Sequence, residues 1–139
     1  MNSRILIVED ESKLREVLCD FFRSKGEIPF EASNGMQAIE LAMSNEYDAI
    51  LLDIMMPELN GFSVCSALRK KNDVPIIFLT ALSDEDDKLF GYELGADDYV
   101  TKPFTMSVLY AKTMALIKRS RGNMLNGDRL EAGGIILEL

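Results

Sequence analysis

The sequence contains no histidine. Imidazole catalysis and histidine-ligated zinc are therefore excluded at the outset. Cysteine is nearly as scarce: Cys19 and Cys65 stand far apart in stretches of helical period, without metal-ligand spacing, and read as small buried thiols. No apolar run approaches the roughly 18 residues that a bilayer demands. No basic-then-apolar leader opens the chain either, so the expectation is a cytoplasmic protein without a membrane partner. Glycine-rich phosphate loops of both common types are missing. Positive charge is in deficit, with 15 Lys and Arg against 23 Asp and Glu and a net charge of −8. The deficit lies in residues 1–104, which hold 20 acids and 10 bases, whereas residues 105–139 hold 3 acids and 5 bases. A body of that sign repels a phosphate backbone, so direct nucleic-acid contact by this segment is not expected.

What is present is an ordinary globular composition, 47% hydrophobic and 27% charged over 139 residues, the size of one domain with one core. Short β-branched or Leu-rich runs alternate with longer stretches of helical period. Strands are predicted at 4–9, 28–33, 48–53, 74–80 and 97–101. Helices are predicted from Ser12, as cap, to about Lys25, then at 35–45, 61–71, 84–94 and 105–119. In the first helix Leu14, Val17, Leu18, Phe21 and Phe22 form the inner side; in the last, Val108, Leu109, Ala111, Ala115 and Leu116 suit the sheet. Gly95 reads as a left-handed stop to the fourth helix, and Pro29 suits an edge strand.

Five strand–helix units with right-handed crossovers make an α/β, flavodoxin-like, doubly wound parallel sheet, order 2-1-3-4-5, flanked by five helices. Residues 1–121 form this domain. From 122 to 139 the chain reads as a polar linker and the start of a truncated C-terminal effector domain, with short strand-like pieces around Gly133 and Gly134.

The C-terminal ends of parallel strands lie along one edge, where open α/β folds bind ligands. Here those ends are polar: Glu9 and Asp10 after the first strand, Asp53 after the third, Thr80 after the fourth and Lys102 after the fifth. A single Asp at such a place is usually a turn former, but five such groups on one edge point to a site. Two carboxylates about 5 Å apart repel by roughly 3 kcal/mol at an effective dielectric near 20, so a cluster of three calls for a cation. All-oxygen donors favour Mg²⁺ or Mn²⁺. A divalent cation, an ammonium to hold an anion and a carboxylate nucleophile are the inventory for phosphoryl transfer to Asp53, with Thr80 donating to a phosphoryl oxygen.

The set Glu9-Asp10, LLDIMMPELNG around Asp53, FLTAL around Thr80 and GADDYVTKPF around Lys102 closely resembles the receiver domain of two-component response regulators over about residues 3–121. The resemblance implies that Asp53 accepts phosphate from a sensor histidine kinase. It also implies that Asp10, Asp53 and the Met55 backbone carbonyl bind Mg²⁺, with Glu9 acting through water. Lys102 then pairs with the phosphoryl group, and the Lys102–Pro103 bond is cis. Thr80 and Tyr99 form a switch in which Thr80 moves toward the phosphoryl group and Tyr99 turns into the vacated space. The GADDY and KPF spelling resembles the OmpR/PhoB-like subfamily, which places a winged-helix DNA-binding domain after the receiver and dimerises when phosphorylated. Lys88, Asp97, Asp98, Val108 and Lys112 then fall on the dimer face, with Val108 and Met114 where charges are typical. DNA contact is left to the missing C-terminal domain.

Three rival readings share the edge: a flavodoxin-like flavin- or nucleotide-binding module, a haloacid-dehalogenase-type phosphatase, and a receiver-like interaction module that is never phosphorylated. The phosphatase chemistry wants a second acid two residues after the nucleophile, where Met55 stands.

Overall fold

The computed structural model describes residues 2–81 and 85–133. Five strands, β1 (Arg4–Val8), β2 (Ile28–Ala32), β3 (Ala49–Asp53), β4 (Ile76–Thr80) and β5 (Asp98–Thr101), pair in parallel in the order β2-β1-β3-β4-β5. Between and after them run α1 (Ser12–Ser24), α2 (Gly35–Ser44), α3 (Gly61–Arg69), α4 (Glu85–Glu93) and α5 (Met106–Gly133). Strands β3 and β4 are buried along their whole length, which is why their sequences are apolar runs rather than alternating ones up to the terminal Asp53 and Thr80.

Alternation decides which face of the sheet each apolar residue serves. Leu6, Val8, Ile50, Leu52, Ile76 and Phe78 pack with residues of α2 and α3 on one face. Ile5, Ile7, Leu51, Ile77 and Leu79 pack with Leu18 and Phe22 of α1 and with Leu109, Leu116 and Ile117 of α5 on the other. The turns obey their sequence signals. Asn34 and Asn60 cap α2 and α3 by accepting from the amides of Gln37 and Ser63. Gly95, at φ 109°, ends α4 in the left-handed conformation as expected. The Lys102–Pro103 bond is cis.

Four expectations need correction. Ser12 is the first residue of α1 rather than its cap; Glu11 holds the cap position without a side-chain bond. Val17 is exposed and Cys19 buried, because the stripe facing the sheet is Leu18, Cys19 and Phe22. In α5 the inward stripe is Leu109, Thr113, Leu116 and Ile117, while Val108, Ala111 and Ala115 face outward. Thr113 concealed that phase, since its hydroxyl is buried only because it donates to the Leu109 carbonyl at 2.7 Å. Last, α5 continues past Arg119 to Gly133, so the segment expected to be a linker and a strand start is helical up to there. No proline interrupts it, and single Gly or Asn residues cost a helix only about 1 kcal/mol or less each. Residues 134–139 lie outside the described residues.

The turn after β3 carries a local cost. Glu58 has φ 69°, and the Leu59 amide donates to the Pro57 carbonyl at 2.8 Å, closing a three-residue turn around it. A side chain in that conformation costs about 1–2 kcal/mol, partly offset in a glycine variant by its freer unfolded chain. Glu58→Gly is therefore expected to stabilise the protein by about 0.5–1 kcal/mol, seen as a higher urea midpoint at unchanged slope.

Candidate functional site

Register brings the strand-end acids together. Val8 pairs with Leu52, so the residues that follow, Glu9 and Asp53, emerge side by side at the C-terminal edge. One carboxylate oxygen from each of Glu9, Asp10 and Asp53 lies within 4.8 Å of the others. Glu9 and Asp53 are buried and Asp10 is exposed. Lys102 reaches back from the end of β5, its Nζ 3.2 Å from Glu9 Oε1 and 3.7 Å from Asp53 Oδ1. The Lys102 amide donates to the Thr80 carbonyl at 2.7 Å, fixing the lysine beside β4. Thr80 is fully buried at the end of that strand. Met55 lies two residues beyond Asp53, and its amide donates to Asp53 Oδ1 at 3.2 Å. The sequence-predicted acids, lysine, threonine and Met55 thus share one edge.

Burial governs the electrostatics. It pushes the Glu9 carboxyl from 4.5 up to about 7, opposed by the Glu11 amide that donates to Oε2, reinforced by the charge of Asp53 and opposed by Lys102. Asp53 is raised as well, again by burial first, with Lys102 pulling the other way. One ammonium facing three carboxylates leaves two negative charges unmatched when all are ionised. An all-oxygen set with that imbalance fits a hard divalent cation.

A stability consequence follows from the raised Glu9 value. Between pH 4.5 and 7 the folded chain holds a proton that the unfolded chain has released, so this group's contribution to stability falls as pH rises through that window. The metal-free protein is expected to melt at a lower temperature at pH 7.5 than at pH 5. Mg²⁺ should raise the melting temperature more at the higher pH, where it need not displace a proton. Glu9→Gln should flatten the profile; calorimetry at three pH values would decide.

The remaining predicted residues lie on the neighbouring face, formed by α4, β5 and α5. Tyr99 is buried, with its ring edge-on to Phe78 and Tyr92 and its hydroxyl donating to the Asp87 carbonyl of α4 at 2.8 Å. Burial raises the phenol to about 12. Asp98 pairs with Lys112 at 3.5 Å, Lys88 is half-buried on α4 and Val108 is exposed. Asp97 is engaged within the fold: its Oδ2 accepts from Arg69 Nη2 at 2.9 Å and from the Ile76 amide at 2.8 Å. The rest of the Arg69 guanidinium donates to the carbonyls of Gly95 and Val74, so it clamps the α4–β5 turn.

The sequence reading missed Arg69, Gly91 and Gly61. Gly91 is where the Tyr99 ring lies against α4; a Cβ there would come within 2.5 Å of the Tyr99 hydroxyl oxygen. Gly61 lets α3 start against the Asp53 backbone, with a Cβ falling 2.5 Å from the Asp53 carbonyl oxygen. A glycine inside an otherwise good helical pattern was the available signal for Gly91.

Residues 5–114 match the family model described as the response regulator receiver domain. The chain belongs to that family. The receiver is 40% identical over 136 residues to the transcriptional regulatory protein SrrA of Staphylococcus aureus, an alignment covering 98% of this chain and 56% of that protein. The chain thus spans little more than half the length of that relative. Among solved structures, the receiver domain of Francisella response regulator 1452 superposes with a TM-score of 0.82 at 37% identity, covering 86% of this chain and 99% of that one. Response regulator TrrA of Thermotoga maritima, solved in complex with Mg²⁺-BeF, gives 0.75 at 38% identity, covering 82% and 98%. Family membership displaces the flavin-module and dehalogenase-type readings. No described helix of this receiver is long and apolar enough to cross a membrane.

Proposed function

We propose that this receiver is a phosphorylation-dependent switch whose phosphoacceptor is Asp53. A carboxylate oxygen of Asp53 attacks the phosphorus of a sensor kinase's phosphohistidine; the P–O bond forms as the P–N bond breaks, and the imidazole leaves with the electron pair. The observation that carries the reading is the convergence of the Glu9, Asp10 and Asp53 oxygens within 4.8 Å, with the Lys102 ammonium against the two buried acids. Glu9, Asp10, Asp53 and the Met55 carbonyl would hold Mg²⁺ or Mn²⁺, which supplies charge neutralisation at the transferring phosphoryl group. The Mg²⁺-BeF complex of TrrA supports that assignment. Lys102 orients the phosphoryl oxygens by charge-assisted hydrogen bonding, and the Thr80 hydroxyl donates to one of them.

Movement of Thr80 toward the phosphoryl group shifts the balance at Tyr99, whose ring ties β5 to α4. The face of α4, β5 and α5 repacks, and Lys88, Asp98, Val108 and Lys112 contribute to a homodimer contact, while Asp97, also expected there, is held within the fold by Arg69 and the Ile76 amide. Residues 1–121 are the switch, and a C-terminal domain of the longer protein carries DNA binding, in keeping with the relative's description as a transcriptional regulator. The protein is a phosphoacceptor that promotes its own transfer and slow dephosphorylation, not a turnover enzyme. Met55, apolar and two residues beyond Asp53, hinders an attacking water. Leu82, two residues after Thr80 in the sequence and apolar as well, is a second candidate for that role and lies outside the described residues.

Incubation with Mg²⁺ and a small phosphodonor tests the reading by intact mass. Gain of one phosphoryl group that requires the cation and is released by hydroxylamine, as an acyl phosphate is, supports it. No gain with any donor supports the unphosphorylated interaction module instead.

A further inference from the structure

Arg15 stands in the opening turns of α1, where a cation runs against the helix dipole. Something must offset that placement. Long helical side chains lean toward the helix N-terminus, and this one folds back over the β1–α1 turn, with its side chain only 17% exposed. Its Nη1 donates to the Glu9 backbone carbonyl at 2.7 Å, and its Nε donates to Glu31 Oε1, at the end of β2, at 2.9 Å. One guanidinium therefore joins α1, the peptide leaving β1, and β2.

The carbonyl it holds belongs to the peptide that links Glu9 to Asp10. Rotation of that peptide redirects both acids. The Glu9 side chain has independent anchors in the Glu11 amide and Lys102, whereas Asp10 is exposed at the rim and takes its direction from the backbone. Groups that orient metal ligands without touching the metal commonly change affinity by about 10–100-fold when removed.

We infer that Arg15 is a positioning residue which, by holding the Glu9 carbonyl and being held by Glu31, sets the Glu9–Asp10 turn in the shape that lets the acids share a divalent cation. The inference rests on the cation-dependent phosphoacceptor reading. It assigns Arg15 no contact with the phosphoryl group, so its effect belongs to cation affinity and not to the rate of transfer once the cation is bound.

Titration calorimetry of the whole 139-residue chain with MgCl₂, beside phosphorylation by a small donor at varied Mg²⁺, tests this. Arg15→Gln is expected to weaken Mg²⁺ binding about tenfold, with the phosphorylation rate at saturating Mg²⁺ within about twofold of wild type. Glu31→Gln keeps the bond to the Glu9 carbonyl but loosens the guanidinium, and is expected to cost about threefold in affinity. Arg15→Lys, which keeps one donor, should fall between wild type and Arg15→Gln and replaces it if that variant does not fold. A role confined to stability would lower the melting temperature and leave the Mg²⁺ affinity unmoved, which would overturn the inference. So would a saturating rate that falls as far as the affinity. Wild-type protein that binds no Mg²⁺ overturns the phosphoacceptor reading and this inference together; wild-type binding with unaltered variants sinks the Arg15 role alone.

Discussion

An Asp53→Asn variant is expected to take up no phosphoryl group from any donor and, without metal, to be more stable than the wild type. The loss follows from chemistry, because the amide nitrogen's lone pair is delocalised and the remaining oxygen carries no charge with which to attack phosphorus. The gain follows from burial. Asp53 and Glu9 are both taken out of water side by side; burial raises both carboxyls, and the charge of Asp53 adds to the cost of ionising Glu9. Replacing one by a neutral group of the same shape removes the repulsion, while Lys102 still faces Glu9 at 3.2 Å. The stabilisation should be on the order of 1–2 kcal/mol near pH 7.5 and should shrink toward pH 5, where Glu9 is protonated in the wild type too. Differential scanning calorimetry at the two pH values, beside intact mass after phosphodonor treatment, reads both halves. A variant no more stable than wild type at pH 7.5 would mean that the two acids are not electrostatically opposed. A more stable variant would show that this edge is held at the expense of stability, a common arrangement at sites built from like charges.

Gly61→Ala is expected to destabilise the fold by about 3 kcal/mol, or roughly 10 °C in melting temperature for a domain of this size. The added Cβ would fall 2.5 Å from the Asp53 carbonyl oxygen and 2.8 Å from the Ile54 Cα. Both neighbours are backbone atoms, so no rotamer change can relieve the overlap; either α3 lifts or the end of β3 moves. The Gly61 amide also donates to the Ile54 carbonyl at 3.0 Å, and moving α3 sacrifices that bond. Because the displaced segment carries Asp53, weaker Mg²⁺ binding should accompany the lower melting temperature. Gly122→Ala is the control: nothing lies within 4 Å of its added Cβ, and in the middle of α5 the change should stabilise by up to about 1 kcal/mol. Equal effects of the two substitutions would show that glycine content alone, and not contact with Asp53, sets the response.

The different outcomes expected at these two glycines show where sequence reading stops. Both stand in helices, and only the packing distinguishes the one pressed against a functional strand from the one in open space. Similarly, Asp97 and Asp98 are adjacent acids with the same local pattern, yet Asp97 is committed to Arg69 and the Ile76 amide while Asp98 meets Lys112. The inward phase of α5 was misjudged because Thr113 is polar by type, although its hydroxyl is satisfied within its own helix. Val17 precedes the buried Leu18 at the margin of the inward stripe, and its apolar type alone does not tell that it lies on the solvent side of that margin.

The sequence by itself determined the five strands, the first four helices and the start of the fifth, their parallel order, the glycine stop after α4, and the gathering of Glu9, Asp10, Asp53, Thr80 and Lys102 at one edge. These depend on dihedral preference, apolar period and the single direction of parallel strands, all of which are local or topological. Tertiary structure alone decided that Glu9 and Asp53 emerge as neighbours in register, that both are buried deeply enough to compete for a proton, and that Arg15 and Arg69 reach across elements to hold carbonyls. Those are distances and dielectric surroundings created when separate segments meet, and no residue carries them before the chain has folded.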